Sequence, residues 1–433
     1  MTFDLPLMIH SSQRFMVTVI FRREVYFMLI QLPAHSLYGN EPVDVQFPND
    51  WDVQVSSFKG ESEPALTERE IAEAIRHPNC TPPIREAAKG CKNAVIIFDD
   101  ITRATPVGPI AKAVIAELEE AGVPREKIEF MAAVGGHRAM CREDFVRKLG
   151  EDIVNEFRVW SHNPFFNCVY LGKTSQQIPI ELNAECVYAD FKVAIGAIFP
   201  HVSTGAGGGG KIILPGIASM ETIRRWHLTD SGMWLTDSDC RKTVTEAADL
   251  LGLNIKIDVL MNGRGEIARV YAGDCESNLQ DHYDEIQRFF CTRHVPDVDL
   301  VLTNNYFKPT EPNCALVQMG MLETIRPGGD IILSYHSPQG CACHYVWGKW
   351  GDSGIGGCMY RKQWRIPENV NRFFVFTKYP DFATSSSYHL NEDGNFFARQ
   401  WGEIMDALGK SPRRVAVYPY GDACCFEDKM GTR

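Results

Sequence analysis

The sequence lacks several of the signatures by which protein classes are recognised. None of its 14 cysteines forms a CxxC pair, which excludes the usual zinc spacing, and so large a chain does not resemble a secreted disulfide framework. No apolar run reaches about 18 residues, the length that a transmembrane helix needs. An excess of positive charge is lacking as well: 44 Lys and Arg against 55 Asp and Glu give a net charge of −11, which disfavours nucleic acid and membrane surfaces as partners. We interpret the cysteines as reduced thiols and expect a cytoplasmic protein.

What the chain does contain is globular sequence, with 433 residues of which 45% are hydrophobic and 23% charged. This composition predicts two or three domains and a large core. Residues 1–27 fit less well, because they lack the clean apolar stretch and the cleavage site of a signal peptide. We expect an N-terminal extension there, disordered or loosely packed, followed by a first strand from Met28.

Strands and helices alternate along most of the chain. Residues 93–98 form a continuous apolar run, typical of a central parallel strand buried on both faces, and residues 128–134 and 191–199 follow the same pattern. Helical patterns lie between these runs, and the alternation restarts near residue 298. The sequence therefore predicts two α/β domains with mostly parallel sheets and an active-site cleft between them. We place the N-terminal domain at 28–294 and the C-terminal domain at 295–433, with the last strand a candidate to return to the first domain.

Four polar side chains come directly after predicted strands: Arg103, His137, His162 and His201. A single histidine is more often an ordinary core or surface residue. However, the carboxyl ends of parallel strands meet at one edge of a sheet, where α/β folds bind ligands. Four such residues at the same edge favour a functional site, and we interpret the remaining histidines as structural or exposed.

A glycine-rich segment at residues 197–216 combines three groups suited to an anionic ligand. His201 ends a strand, four consecutive glycines follow, and Lys211 adds a cation. Glycines let backbone N–H groups approach an anion closely, and lysine supplies a point charge for phosphate. The alternatives are a flexible glycine linker or a plain nucleotide loop, although neither GxxxxGK[ST] nor GxGxxG occurs in its required setting.

Four motifs occur in a fixed order: Asp-Asp-Ile-Thr-Arg-Ala-Thr-Pro at 99–106, Gly-Gly-His-Arg at 135–138, Ser-His at 161–162, and Pro-His with a glycine run and Lys-x-x-x-Pro-Gly at 200–216. Together they resemble the lactate racemase family, whose members use a nickel-pincer nucleotide. The resemblance implies a racemase or epimerase of a 2-hydroxy acid. It would act by reversible hydride transfer from the 2-carbon to that cofactor, and cofactor-synthesis enzymes would be its maturation partners.

The resemblance also implies roles for individual residues. His201 matches the nickel-binding histidine, His137 and His162 match two acid–base histidines, Arg103 matches an arginine at the substrate, and Asp100 matches the acidic residue three positions earlier. The implied cofactor contacts are Thr102, Thr204, Gly205, Gly207, Gly208, Gly209, Gly210 and Lys211.

Two departures from the family pattern affect these expectations. The family's cofactor-linking lysine aligns with Ala184, so we expect a cofactor held without a covalent bond. The family often has a glutamine and a lysine on one helix of the C-terminal domain, whereas residues 311–321 contain Gln318 and no lysine. Lys308 is the nearest cation, and His344 and Tyr345 either line the cleft or pack ordinarily.

Two other functional classes fit parts of the pattern. His137, His162 and His201 could form the three-histidine site of a zinc or iron hydrolase. The glycine segment could also belong to a non-catalytic protein that binds a phosphate ligand. Such a protein has no need of paired bases, which favours the enzyme.

Overall fold

The structure, a computed structural model, describes residues 18–20, 27–201, 204–228, 238–312, 314–317, 320–341, 368–381 and 394–428. The strands are β1 (Thr18–Ile20), β2 (Phe27–Leu32), β3 (Val43–Pro48), β4 (Asp52–Val55), β5 (Ala94–Asp99), β6 (Ile128–Ala133), β7 (Arg158–Ser161), β8 (Cys168–Lys173), β9 (Pro179–Asn183), β10 (Phe191–Ala197), β11 (Pro200–His201), β12 (Gly205–Ala206), β13 (Ile255–Met261), β14 (Ile267–Gly273), β15 (Cys291–Thr292), β16 (Val298–Asn305), β17 (Ile325–Tyr335), β18 (Val370–Phe376), β19 (Phe396–Ala398), β20 (Arg414–Tyr418) and β21 (Cys425–Phe426).

The α-helices of the described residues are α1 (Glu68–Arg76), α2 (Ile84–Ala87), α3 (Val107–Glu120), α4 (Arg142–Leu149), α5 (Glu151–Glu156), α6 (Ala184–Tyr188), α7 (Met220–Trp226), α8 (Asp239–Leu251), α9 (Ser277–Gln280), α10 (Tyr283–Phe290), α11 (Cys314–Val317) and α12 (Trp401–Leu408). Short 3-10 turns span Lys59–Ser62, Arg125–Lys127, Gly209–Ile212 and Met321–Thr324. Within the described residues no helix is both long and apolar enough to cross a membrane.

Two six-stranded sheets organise the molecule, which confirms the predicted α/β class. The first sheet has the order β14-β13-β10-β5-β6-β7, and its neighbouring strands are parallel except for β14, which runs antiparallel to β13. Its central strand β5 is apolar and buried from Ala94 to Phe98, and its side chains contribute to the apolar clusters on both faces of the sheet. α1 begins with a capping box, as the Thr67 and Glu70 spacing predicts, and the Thr67 N–H donates to Glu70 Oε2 at 2.8 Å.

The second sheet has the order β19-β18-β17-β16-β20-β4 and is parallel throughout. Its edge strand β4 comes from the beginning of the chain, and Val53 lies opposite Val415 of β20. β2 and β3 pack beside it, since Phe47 shares an apolar cluster with Val417. The predicted boundary at residue 28 therefore differs from the observed sheet membership, in which residues 27–55 accompany the second sheet.

The two ends of the chain also make pairings that local sequence patterns do not specify. β21 pairs with β15, the short strand that lies between the two large sheets in the sequence; the predicted domain bounds and the return of the last strand to the first domain stay predictions. In the predicted N-terminal extension, β1 pairs antiparallel with β2. Residues 1–17 and 21–26 lie outside the described residues.

Candidate active site

One cavity of about 940 Å³, including its open mouth, lies at the carboxyl ends of β5, β6 and β10. The segment after β16 in the second sheet closes its other side. Many of the predicted site residues line this cavity, namely Asp100, Thr102, Arg103, His137, His201, Gly207, Gly208, Lys211 and Lys308. The cavity therefore combines residues that are far apart in the sequence.

His137 is held between two carboxylates. Its Nδ1 lies 2.8 Å from Asp100 Oδ2, and its Nε2 lies 3.2 Å from Glu311 Oε1. Burial favours the neutral ring, but the charge and hydrogen bond of Asp100, together with Glu311, raise the pKa of His137 to about 9. Burial likewise opposes the charge of Asp100, yet His137 and Arg103 keep the pKa of that carboxyl below its usual range. At neutral pH His137 is an imidazolium, a proton donor.

Arg103 lies beside Glu311, the carboxylate that also contacts His137. Its Nη1 donates to the Thr102 backbone oxygen at 3.1 Å, to Thr102 Oγ1 at 2.9 Å and to Glu311 Oε2. Burial disfavours the charged guanidinium of Arg103, but the nearby Glu311 carboxylate raises the pKa of Arg103 above its ordinary value. The guanidinium is thus a permanent cation at the cavity wall.

His201 and Lys211, in contrast to His137, have lowered pKa values. Burial, followed by the charges of Lys211, Lys308 and Arg103, holds the pKa of His201 well below its usual value. Burial and the charge of Arg103 also lower the pKa of Lys211 to about 7. His201 is therefore neutral at physiological pH, and a large fraction of Lys211 is an uncharged, nucleophilic amine.

Lys308 reaches this region from the second sheet. Its Nζ donates to the backbone oxygens of Pro200 and Asp422, both at 3.2 Å. Burial lowers the pKa of Lys308. This side chain consequently ties the segment after β16 to the residue that precedes His201.

The sequence interpretation missed His227, which also lines the cavity. Burial lowers its pKa to about 4, and its Nδ1 lies 2.8 Å from the Ile223 backbone oxygen. The ring packs edge to face on Trp226, with a centroid distance of 4.5 Å. A hydrogen bond from Nδ1 to a carbonyl leaves Nε2 as the basic nitrogen, the arrangement usual for a metal-binding histidine. Because His227 follows a helix, the rule of polar residues after strands did not select it.

His162 does not line the cavity, contrary to the expectation that it faces the same pocket as His137. It is buried, with Nε2 2.9 Å from the Ala218 backbone oxygen and Nδ1 3.1 Å from Asn183 Nδ2. Burial lowers its pKa to about 4. Hydrogen bonds of both ring nitrogens thus connect the segment after β7 to Ala218 and to the end of β9.

The glycine run divides into two parts. Gly207 and Gly208 line the cavity, whereas Gly209 and Gly210 pack against α8, where a Cβ would collide with Arg241 Nη2 and with the Val244 backbone oxygen. Two further predicted cofactor contacts, Thr204 and Gly205, are buried outside the lining. Close packing of the loop on α8 is thus one physical reason for this composition.

Several other expectations concern residues away from the cavity. Ala184 begins α6, where its N–H donates to the Asn167 backbone oxygen at 2.9 Å, and it does not line the cavity. Gln318, His344 and Tyr345 lie outside the described residues. Among the residues that are described, no three His, Cys, Asp or Glu side chains lie close enough to hold a metal ion, so the hydrolase alternative lacks its site.

These features define an α/β protein whose two mostly parallel sheets enclose a cavity with one protonated and one neutral histidine, an arginine and two lysines. The lactate racemase N-terminal domain matches residues 38–234. Over these residues the chain is similar to the lactate racemase family.

Relatives of known name support this similarity. The chain is 29% identical over 284 residues to a lactate racemase of Lactiplantibacillus plantarum, an alignment covering 62% of this chain and 66% of that protein. It is 27% identical over 289 residues to a lactate racemase of Thermoanaerobacterium thermosaccharolyticum, covering 64% and 67% of the two chains. The alignments thus span about two thirds of the curated relatives' length.

Solved structures show the same fold. The lactate racemase apoprotein from Thermoanaerobacterium thermosaccharolyticum superimposes with a TM-score of 0.69 at 21% identity, covering 92% of this chain and 100% of that one. A Thermotoga maritima protein superimposes with a TM-score of 0.62 at 17% identity, covering 84% and 99%.

Proposed function

We propose that this protein is an isomerase that racemises or epimerises a 2-hydroxy acid. The observation that carries the proposal is a pair of histidines in one cavity, of which one is protonated and the other is not. His137 is an imidazolium and His201 is a neutral ring. Inversion at one carbon needs a base for one enantiomer and an acid for the other, and divergent pKa values are typical of such a pair. We propose His201, rather than His162, as the partner of His137, because His162 lies outside the cavity.

Arg103 would orient the substrate. A guanidinium binds a carboxylate through two parallel hydrogen bonds, which fixes the direction of the neighbouring 2-carbon. A neutral imidazole takes the proton of the 2-hydroxyl, and an imidazolium returns one after inversion. Asp100 keeps His137 oriented and stabilises its charge through the 2.8 Å contact to Nδ1.

The cavity residues also fit the family's nickel-pincer nucleotide. Imidazole is a suitable nickel ligand, and His227 offers a neutral ring with its Nδ1 directed at a carbonyl. Trp226 and the backbone of Gly207 and Gly208 provide flat and close surfaces for a ring and a phosphate. When bound, this cofactor supplies a hydride acceptor for the hydrogen on the 2-carbon. We propose His227 as the ligand of nickel, which leaves His201 for acid–base work.

The expectation of a non-covalent cofactor depended on Ala184, which does not line the cavity. The absence of an amine at that position is therefore no argument against a covalent bond. Lys211 does line the cavity, and its pKa of about 7 makes it a nucleophile. We propose Lys211 as the attachment point. Denaturing mass spectrometry should give an adduct on the wild-type chain and the bare mass for Lys211→Arg; a bare wild-type mass with the cofactor present in native spectrometry would contradict this.

We propose further that cofactor-synthesis enzymes are the maturation partners, that the protein works in the cytoplasm, and that nucleic acid and membranes are not among its ligands. Cys80 and Cys141, both exposed, are free thiols, in keeping with a reducing compartment.

The activity test uses protein expressed together with the cofactor-synthesis enzymes and one enantiomer of a 2-hydroxy acid carrying deuterium at the 2-carbon. We expect the opposite enantiomer to form with the deuterium retained, since the hydrogen moves as hydride and returns. Loss of deuterium to water would contradict hydride transfer. Absence of racemisation with every 2-hydroxy acid tested would contradict the proposed function.

Variants of three histidines separate the assigned roles. His137→Gln and His201→Gln should lower turnover by roughly 10² to 10⁴, the usual loss for an acid–base group, while nickel content persists. His227→Ala should lose nickel in metal analysis. The matched variant His162→Gln should keep its turnover per folded molecule, and a loss as large as that of His201→Gln would return His162 to the mechanism.

A further inference from the structure

Glu311 is a carboxylate inside the cavity that no part of the proposed reaction uses. It lies in the turn after β16, where its N–H donates to the Lys308 backbone oxygen at 2.9 Å and its own backbone oxygen accepts from the Cys314 N–H at 3.0 Å. Its side chain is only 16% exposed. The turn therefore holds an acidic group in a cavity whose other nearby charges are largely positive.

The two oxygens of Glu311 make different contacts. Oε2 accepts from Arg103 Nη1, and Oε1 lies 3.2 Å from His137 Nε2. These are the contacts proposed for a substrate, whose carboxylate would meet Arg103 and whose 2-hydroxyl would meet a cavity histidine. Glu311 thus occupies the positions of both substrate groups at once.

The same contacts set the charge of the site. Glu311 and Asp100 are the carboxylates that raise the pKa of His137, and Glu311 also raises that of Arg103. A ligand that displaces Glu311 must therefore replace an ion pair and a hydrogen bond to a buried cation. A displacement that leaves either contact unreplaced weakens binding, because it removes a hydrogen bond from a buried cation.

We propose that the Glu311 carboxylate competes with the ligand for Arg103 and His137 and thereby weakens the binding of every carboxylate. The inference rests on the proposed function, because it takes these two residues as the substrate contacts. A 2-hydroxy acid offers one group for each residue and replaces both contacts of Glu311. A simple carboxylic acid replaces the contact at Arg103 alone, so it binds more weakly than the 2-hydroxy acid, while Asp100 still pairs with Nδ1 of His137.

The gain in ligand affinity on removing Glu311 depends on the fraction of molecules in which Glu311 occupies the site. A ligand's apparent affinity is its intrinsic affinity multiplied by the fraction of molecules whose site is open to it. If Glu311 occupies the site in about 90% of molecules, removing its charge strengthens the binding of an anion about tenfold. The gain should be the same for both ligands, because each needs the site from which Glu311 has been displaced.

Lactate and propionate provide the test, because they differ only by the 2-hydroxyl. Their dissociation constants are measured by calorimetry on the full chain as isolated, for the wild type and for Glu311→Gln, which preserves the shape of the side chain. We expect both propionate and lactate to bind Glu311→Gln about tenfold more tightly than wild type, with lactate the tighter ligand in each protein. Unchanged or weaker binding of either ligand would overturn the proposal.

Glu117→Gln is the matched control. Glu117 on α3 is a buried carboxylate paired with Arg76 and Arg85 at 3.1 and 3.0 Å, outside the cavity, and its change should leave both dissociation constants unaltered. If Glu311→Gln does not fold, Glu311→Asp supplies the second measurement, since a shorter side chain cannot hold both contacts. Binding constants do not depend on turnover, so tighter propionate binding supports the role of Glu311 even where no racemisation occurs.

Discussion

At the scale of single residues, the cavity separates two histidines by charge. His137 lies against two carboxylates, whereas His201 lies among cations and is neutral. The sequence predicted Arg103, His137 and His201 for one site because each follows a strand that proved to belong to the first sheet. His227 and Glu311 were missed since neither carries a local signal: one follows a helix, and the other is 208 positions from its partner Arg103.

The charge of His137 predicts a pH dependence of stability. Its pKa is raised in the folded protein, from about 6.5 when unfolded to about 9, so its stabilisation is fully present below pH 6.5 and disappears as the pH rises through 9. We expect the free energy of unfolding to fall over this interval by at most on the order of 3 kcal/mol. Asp100→Asn should flatten the fall, because it removes the main partner of the imidazolium.

Chemical denaturation at pH 6, 7.5 and 9 measures this effect. Asp152→Asn is the control, since Asp152 pairs with Lys112 at the surface at 2.8 Å and should leave the slope as it is in the wild type. The same slope for Asp100→Asn and for the wild type would show that His137 is not charged in the folded protein.

At the scale of elements, the glycine run shows how far a motif can be interpreted without a structure. The sequence pattern predicted a loop that wraps an anion, and Gly207 and Gly208 do line the cavity. Gly209 and Gly210 are instead required by the approach of α8, which lies more than 30 positions further along the chain. No local pattern distinguishes a glycine that faces a ligand from one that faces a helix.

This difference predicts unequal effects of two alanine substitutions. In Gly210→Ala the new methyl group would collide with the Val244 backbone oxygen, which cannot move without shifting α8, and we expect a loss of about 1–3 kcal/mol. In Gly207→Ala the nearest atom lies at 3.5 Å, so the free energy of unfolding should stay within about 0.5 kcal/mol of wild type. Denaturant unfolding of both variants compares them, and equal losses would mean that the loop does not pack on α8.

At the scale of the whole molecule, the first and last parts of the chain are joined in one sheet. The apolar runs were enough to predict two α/β sheets, because buried parallel strands are recognisable locally. They could not assign residues 27–55, since the pairing of β4 with β20 joins segments about 360 positions apart. The sequence specifies such a pairing only through packing, and Leu32, Val45 and Phe47 are fully buried against the second sheet.

Two truncations test this organisation. A chain beginning at Met28 keeps β3, β4 and all of β2 except Phe27, and of the described residues it otherwise loses the three-residue strand β1, so its midpoint of thermal unfolding should stay within a few degrees of the full chain. A chain beginning at Ser57 loses the edge strand and the buried side chains of β2 and β3. Burial of such side chains contributes about 1.5–3 kcal/mol each, and three of them approach the net stability of a typical domain, about 5–15 kcal/mol. We therefore expect the shorter chain to be unfolded or aggregated, as followed by circular dichroism and size-exclusion chromatography. The substitution Phe47→Ala tests the same packing in the full chain, and we expect it to lower the free energy of unfolding by about 3–5 kcal/mol. A chain beginning at Ser57 that unfolds cooperatively near the wild-type midpoint would mean that the second sheet is complete without β4.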